Sequence, residues 1–365
     1  MAPSVPLVEA ISQRLDSFTS LRLAEAEELG SEALLFTRQA AASLRGGKRL
    51  RARFCWWGWR GSRGADPADA PDTGAVIGAC AALEVFQAAA LVHDDLIDNS
   101  DTRRGNPSAH RALQASHRDA GWAGDGEAFG RSGSVLLGDL LVAWSDDLLE
   151  ESLAALPDPA AAHSARTEYA RMRRDVTVGQ FLDIAEESAW STAEDDAHAE
   201  RALRVASYKS ARYSVQQPLV IGAALAGADA AQLETLRAFG HPLGMAFQLR
   251  DDVLGVFGDE AVTGKPAGDD LREGKRTALV AFARTAAAPA ERARIDSLLG
   301  DPALDADDVA ELRETIRSSG ALARVEELIS GYAAEAERAL AQARLDGEAE
   351  SELRALARAA IERRS

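Results

Sequence analysis

The chain strings amphipathic segments and long apolar runs between glycine- and proline-rich breaks, and nowhere alternates β-branched residues as a strand would. This pattern predicts an all-α protein. Residues 7–44 read as two amphipathic helices, interrupted at 17–20 and at Gly30-Ser31. Trp56, Trp57 and Trp59 fall on one helix and suit a core or a subunit contact. A proline-containing stretch, 61–74, reads as an exposed connection, and 118–133 as a glycine-rich loop. Gly138-Asp139 then opens an apolar helix through Leu149, and Pro157 and Pro159 break the chain before a helix carrying Gly179 to Asp183. Residues 188–198 form a polar connection, and 244–255 an apolar helical run that ends in Asp251 and Asp252. From 278 onward helices are punctuated by Pro289, Gly300, Gly320 and Asp346-Gly347, with 325–340 closing a bundle. Residues 74–92 are apolar enough to resemble a membrane span. They contain Glu84 and Gln87 and run directly into Asp94 and Asp95, so they are expected as a buried helix and not a transmembrane segment.

Composition sharpens this picture in three ways. Aromatic residues make up only 5% of the chain while Ala, Leu, Glu and Arg are abundant, which favours helix. A length of 365 residues alone would suggest two domains. The stretch 61–74 is too short and too well flanked by helices to link domains, so one domain over 1–365 is expected. The formal charge of -17 argues against a nucleic-acid partner. Cys55 and Cys80, the only cysteines, supply neither a disulfide framework nor a metal-ligand spacing. The start Met1-Ala-Pro-Ser-Val-Pro lacks a basic region and an apolar core, so a cytoplasmic protein is expected.

The candidate chemistry begins at 91–105. Asp94 and Asp98, four apart, stack on one helix face with Asp95 beside them, and their charges repel unless cations sit between. Carboxylates without His or Cys partners suit magnesium. Taken alone, a solvated acidic helix end is an equally good reading. Arg103 and Arg104 add forked donors for phosphate oxygens. Asp251 and Asp252 repeat the acidic ending, and two such endings could face each other across a shared metal cluster. A glycine pair precedes Lys48, Arg49 and Arg51, and the three-residue spacing puts Lys48 and Arg51 on one side. This is either a phosphate site or a flexible basic loop. Lys209 sits between the small hydroxyls of Ser207 and Ser210. Asp183 is either a further cavity carboxylate or a surface aspartate. Residues 263–277, with Lys265 and Lys275, form a glycine-containing loop suited to closing over a charged ligand.

In this order, the Gly-Gly-Lys-Arg-Leu-Arg motif, the first aspartates with their two arginines, Lys209, Phe247-Gln248 before the second pair, and the lysine loop resemble the trans-polyprenyl diphosphate synthases. Farnesyl and geranylgeranyl diphosphate synthases belong to that family, and the resemblance covers most of the chain from Gly46 to Thr277. It implies a helical bundle of the isoprenoid synthase type around a central apolar cavity, working as a homodimer. It further implies that Lys48, Arg51, Gln87 and Arg104 hold isopentenyl diphosphate, and that Asp94, Asp98 and Asp251 ligate magnesium with Asp95 and Asp252 assisting. Arg103, Lys209, Ser210, Gln248, Lys265 and Lys275 would hold the allylic diphosphate. Ser210 replaces a more frequent threonine, and Gly255 stands where the second motif's last aspartate would be; Asp259 has the wrong spacing to replace it simply.

The implied chemistry is ionisation, condensation and elimination, for which no nucleophilic triad is needed and none is offered. Ala89 and Ala90 leave room above the first aspartates, and Phe86, one turn deeper than Ala90, is the candidate floor. The expected product is geranylgeranyl diphosphate or longer, although the cavity could be blocked from elsewhere. A class I terpene cyclase would not need the Gly-Gly-Lys motif, and its usual Asn/Ser/Glu second metal motif is absent. A non-catalytic subunit of a heteromeric synthase would tend to lose aspartates that are largely present here.

Overall fold

A computed structural model describes residues 6–63, 72–258, 268–301 and 303–361, and the fold is all-α, as expected. Helices α1 (Leu7–Leu29) and α2 (Ser31–Ser43) are followed by α3 (Leu50–Arg63) and the central α4 (Thr73–Ile97). A two-stranded hairpin, β1 (Thr102–Arg103) with β2 (Asn106–Pro107), leads to α5 (Ala109–Asp119), α6 (Gly126–Ala154) and α7 (Pro159–Ala189). Helix α8 (His198–Val205) runs into a π-helix (Ala206–Gln216), then α9 (Gln217–Leu225) and α10 (Ala230–Phe257). The chain ends with a short α11 (Asp269–Arg272), α12 (Ala278–Ala286), α13 (Pro289–Leu298), α14 (Ala306–Ser318), α15 (Ala321–Leu340) and α16 (Gly347–Ile361).

Three expected breaks fall elsewhere. Helix α1 runs straight through 17–20, because the hydroxyls of Ser17, Thr19 and Ser20 donate back to carbonyls of the preceding turn and Phe18 is buried. Gly130 and Gly133 lie inside α6, not in a loop. That helix starts at Gly126, where the Asp125 carboxylate accepts from the amides of Glu127 and Ala128, so Gly138-Asp139 is mid-helix. Asp251 and Asp252 do not end α10, which continues to Phe257. The break before α7 is as expected, with Asp158 capping it and Pro159 in its first turn.

Helix α4 is long and apolar enough to cross a membrane, yet 78% of its most apolar window is buried inside the protein. It packs on α6, α3 and α1, at the heart of an apolar cluster that extends to Trp56, Trp59 and the first half of α10. A second cluster joins Ala246, Leu249 and Val253 of α10 to α12, α14 and α15. Helix α15 packs along α10 as expected of the segment closing the bundle, and Arg250 clamps it with bonds of 2.6 and 2.7 Å to Glu326.

The start of α3 is fastened to the middle of α4 by a buried ion pair. Arg49 donates to Glu84 at 3.4 Å and to the Leu44 carbonyl at 2.8 Å, and the other Glu84 oxygen accepts from the Ala52 amide at 3.2 Å. Both side chains are more than nine-tenths buried. A buried pair with extra hydrogen bonds is costly to break from one side. Glu84→Ala is therefore expected to lower unfolding free energy by about 3–5 kcal/mol in urea denaturation, and adding Arg49→Met to it should recover much of that loss.

Candidate active site

The last turn of α4 carries three aspartates into different surroundings. Asp95 is buried and accepts from Arg103 Nε at 2.8 Å and from Arg103 Nη2, so the hairpin's first strand is tied to the helix. Burial pushes the Asp95 carboxyl up against the pull of Arg103. Asp94 and Asp98 are less covered, and Arg103 also lies 3.7 Å from Asp94. Burial raises Asp98, and repulsion from Asp94 adds to it, to about 6. Asp94 faces the same burial, but Lys209 and Lys275 outweigh it and hold its carboxyl below the usual range.

Lys209 reaches Asp94 from the π-helix. Its Nζ lies 3.1 Å from Asp94 Oδ1 and 2.5 Å from Asp183 Oδ2. Burial alone would lower this lysine; the carboxylates of Asp94 and Asp183 reverse that and raise it. The approach depends on Gly179 of α7, where an added Cβ would overlap the backbone of Tyr208 and Lys209. The next residue of α7 is Gln180, whose amide donates to Asp94 Oδ1 at 3.2 Å. Asp183 is thus a carboxylate of this cluster and not an isolated surface residue. Ser210 follows Lys209 in the wide turn of the π-helix, a conformation often found at functional sites.

Lys275 links the first acidic end to Asp270, the carboxylate packed against Gly255 of α10. Its Nζ lies 3.9 Å from Asp98, 3.7 Å from Asp270 and 2.6 Å from Glu273. Asp270 and Glu273 lead the charges that lift this lysine well above its ordinary value, despite burial. Asp252 is buried, and its carboxyl is pushed up to about 8 by burial and by the nearby Asp270. Gln248 steadies it with a bond of 2.7 Å, and Asp251 beside it is exposed. Gly255 now has a structural reason: a Cβ there would overlap the Asp270 carboxylate, which fills the space a larger residue would need. Ser100, after the first motif, also bonds Glu273 at 3.3 Å. Lys265 and Asp259 lie outside the described residues.

The basic loop borders this cluster. Gly47 has φ of 92°, a left-handed conformation that suits glycine, and the Arg104 guanidinium packs within 3.1 Å of where a Cβ would sit. Arg104 donates to the Arg45 carbonyl at 3.1 Å, and Lys48 is exposed. Arg51 stacks over the Tyr213 ring at 4.3 Å and donates to Ser214 at 2.7 Å. The Tyr213 hydroxyl donates to Gln87 at 2.6 Å, so Arg51 and Gln87 meet on one tyrosine. Phe86 packs edge-on against Tyr213 at 5.8 Å and Tyr169 at 6.4 Å, while Ala89 is buried above it and Ala90 half-buried.

Residues the motifs did not single out are Gln180, Tyr213, Asp270 and Glu273. Asp270 stands five residues before Lys275 in the predicted loop, and that adjacency was the available signal. Among the described residues, no three acidic, His or Cys side chains are close enough to hold a metal as they stand. Lys209 and Lys275 supply the positive charge instead. The donors still fit magnesium: all are carboxylates, and the raised carboxyls of Asp98 and Asp252 show ionisation held back by burial and neighbouring acids, which a divalent cation would favour.

Known proteins share this fold and its sequence family. The structure superposes on a crystal structure of geranylgeranyl pyrophosphate synthase from Corynebacterium glutamicum, complexed with isoprenyl diphosphate and magnesium, with a TM-score of 0.90 and 38% identity over 98% of this chain and 99% of that one. A nonaprenyl diphosphate synthase of Mycobacterium tuberculosis is 29% identical over 92% of this chain and 87% of its own length. A geranylgeranyl diphosphate synthase from the same organism is 32% identical over 68% and 64%. The sequence model of the family described as Polyprenyl synthetase matches residues 35–316, more than half of the chain, and on these grounds the chain belongs to that family of chain-elongating prenyltransferases.

Proposed function

We propose that the protein joins isopentenyl diphosphate head to tail to an allylic diphosphate, giving geranylgeranyl diphosphate or a somewhat longer product. The observation that carries this reading is that Lys275 lies 3.9 Å from Asp98 and 3.7 Å from Asp270, a carboxylate packed against Gly255 of the second acidic segment, beside an arginine-rich loop. Asp94, Asp98 and Asp251 would hold magnesium. Asp95 assists by fixing Arg103, and Asp252 assists from its bond with Gln248. Bound there, the metal supplies charge neutralisation for a diphosphate leaving group.

The chain's own cations do the rest. Arg103, Lys209 and Lys275, with Ser210, Gln248 and Lys265, orient the allylic diphosphate and stabilise negative charge as the allylic C–O bond breaks. Asp183 and Gln180 hold Lys209 and Asp94 in register for this. Lys48, Arg51, Arg104 and Gln87 orient isopentenyl diphosphate so that its double bond attacks the allylic cation. The proton is then lost to the released diphosphate, and water is excluded by the apolar wall of α4. Asp270 takes over the local negative charge that Gly255 lacks.

Phe86, backed by Tyr169 and Tyr213, forms the floor that stops the growing tail, with Ala89 and Ala90 leaving space above it. We further propose one domain over 1–365, because α10 contributes to both apolar clusters. A homodimer is supported by exposed apolar residues flanking the His93–Asp94 end of α4: Val135 and Leu136 on α6, Val178 and Phe181 on α7. A cytoplasmic location fits the two buried, unpaired cysteines.

Mass analysis after supplying dimethylallyl, geranyl and farnesyl diphosphates in turn should show elongation that needs isopentenyl diphosphate and stops with EDTA. Release of a cyclic hydrocarbon from an allylic diphosphate alone would instead assign the fold to a terpene cyclase. Ala89→Phe is expected to shift the products shorter by at least one isoprene unit; an unchanged distribution would move the floor away from Phe86. Gly255→Asp should reduce kcat by about 10²-fold through collision with Asp270, and Asp270→Gly in the same chain should restore part of it.

A further inference from the structure

Apart from the acidic cluster, a groove of about 540 Å³ opens between α7 and α10, floored by the end of the π-helix and the start of α9. On a chain of net charge -17, four arginines converge there from three elements: Arg171 and Arg174 of α7, Arg212 of the π-helix and Arg237 of α10. Their neutralisation is incomplete. Arg212 lies 3.3 Å from Asp175, and Arg237 lies 2.7 Å from Glu168 and 3.4 Å from Glu234. Arg171 has only a 3.5 Å contact with the same Glu168, and Arg174 has no ion pair among the described residues. His241 bonds Ser207 at 2.8 Å, and burial together with Arg212 keeps its pKa low, so it adds no charge at neutral pH.

The second observation is Gln217 in the floor. It is fully buried, and neither its amide nitrogen nor its amide oxygen has a hydrogen-bond partner; Arg237 Nε is likewise unpartnered. Buried polar atoms are rarely left without partners, so a polar occupant is expected. Guanidinium groups arriving from several directions suit a tetrahedral anion with many oxygens better than one planar carboxylate.

We propose that this groove is a second anion site, distinct from the acidic cluster, that takes a phosphate or diphosphate group. The anion engages Arg174 and Arg171 at the rim and Arg237 and Gln217 below. None of these residues belongs to the proposed catalytic set, so occupancy of the groove is separable from turnover.

Isothermal titration with inorganic diphosphate in EDTA tests it, comparing the parent, Arg171→Gln/Arg174→Gln, Gln217→Leu and, as a catalytic-site counterpart, Arg104→Gln. The rim residues are exposed, so the double variant should melt and sediment as the parent does. The expected result is a binding event that weakens about tenfold or more in the double variant and in Gln217→Leu but persists in Arg104→Gln. Repeating it with geranyl thiolodiphosphate separates the ligand sources: a loss of the same size supports a site that also takes a prenyl-borne diphosphate, and a loss with inorganic diphosphate alone supports a site that reads the free anion. Superimposable isotherms for the parent and the double variant, or loss of all binding in Arg104→Gln, would overturn the site.

Discussion

The structure depends on how buried negative charge is balanced. A carboxylate removed from water is tolerated only when a cation or several donors accompany it. Here Asp94, Asp98, Asp183, Asp252, Asp270 and Glu273 gather around two lysines, neither of which is fully screened by solvent. Lys275 contacts the first aspartate motif and the residues beside the second, so it joins the two halves of the site electrically. Two carboxyls remain raised even so, which leaves an excess of acid over local base. That excess is what a divalent cation would meet.

Getting those charges together is a packing problem solved elsewhere in the fold. Lys209 reaches Asp94 because α7 lacks a side chain at Gly179 and because the π-helix widens the turn from which the lysine projects. The basic loop is held in place by Arg49, which is not itself in the site but anchors α3 to the middle of α4 through Glu84. Moving either anchor would displace a charge whose partner stays behind in a dry setting. Framework and chemistry therefore share the same few contacts.

Much of this was legible in the sequence because it rests on spacing. Apolar runs with capping residues gave the helices, the four-residue interval of Asp94 and Asp98 gave a common face, and the ordered motifs gave the family. Serines at 17–20 misled, since hydroxyls that usually compete with helix instead bond back to it. Gly130 and Gly133 misled for a different reason: glycine composition marks a loop only where the next capping residue agrees, and Asp125 starts the helix before them. Asp270 and Tyr213 were hidden because their roles come from neighbours in space, Gly255 and Gln87, which no local periodicity reveals.

Tyr213 ties together regions that a substrate-by-substrate view would separate. Its hydroxyl holds Gln87, its face carries Arg51, and its edge supports Phe86. If Phe86 is the proposed floor, redesign of chain length at this aromatic cluster is not a matter of volume alone. On the function proposed above, trimming the ring to deepen the cavity would also loosen the two side chains assigned to the homoallylic partner, so extra depth and weaker capture of the incoming five-carbon unit would arrive as one trait.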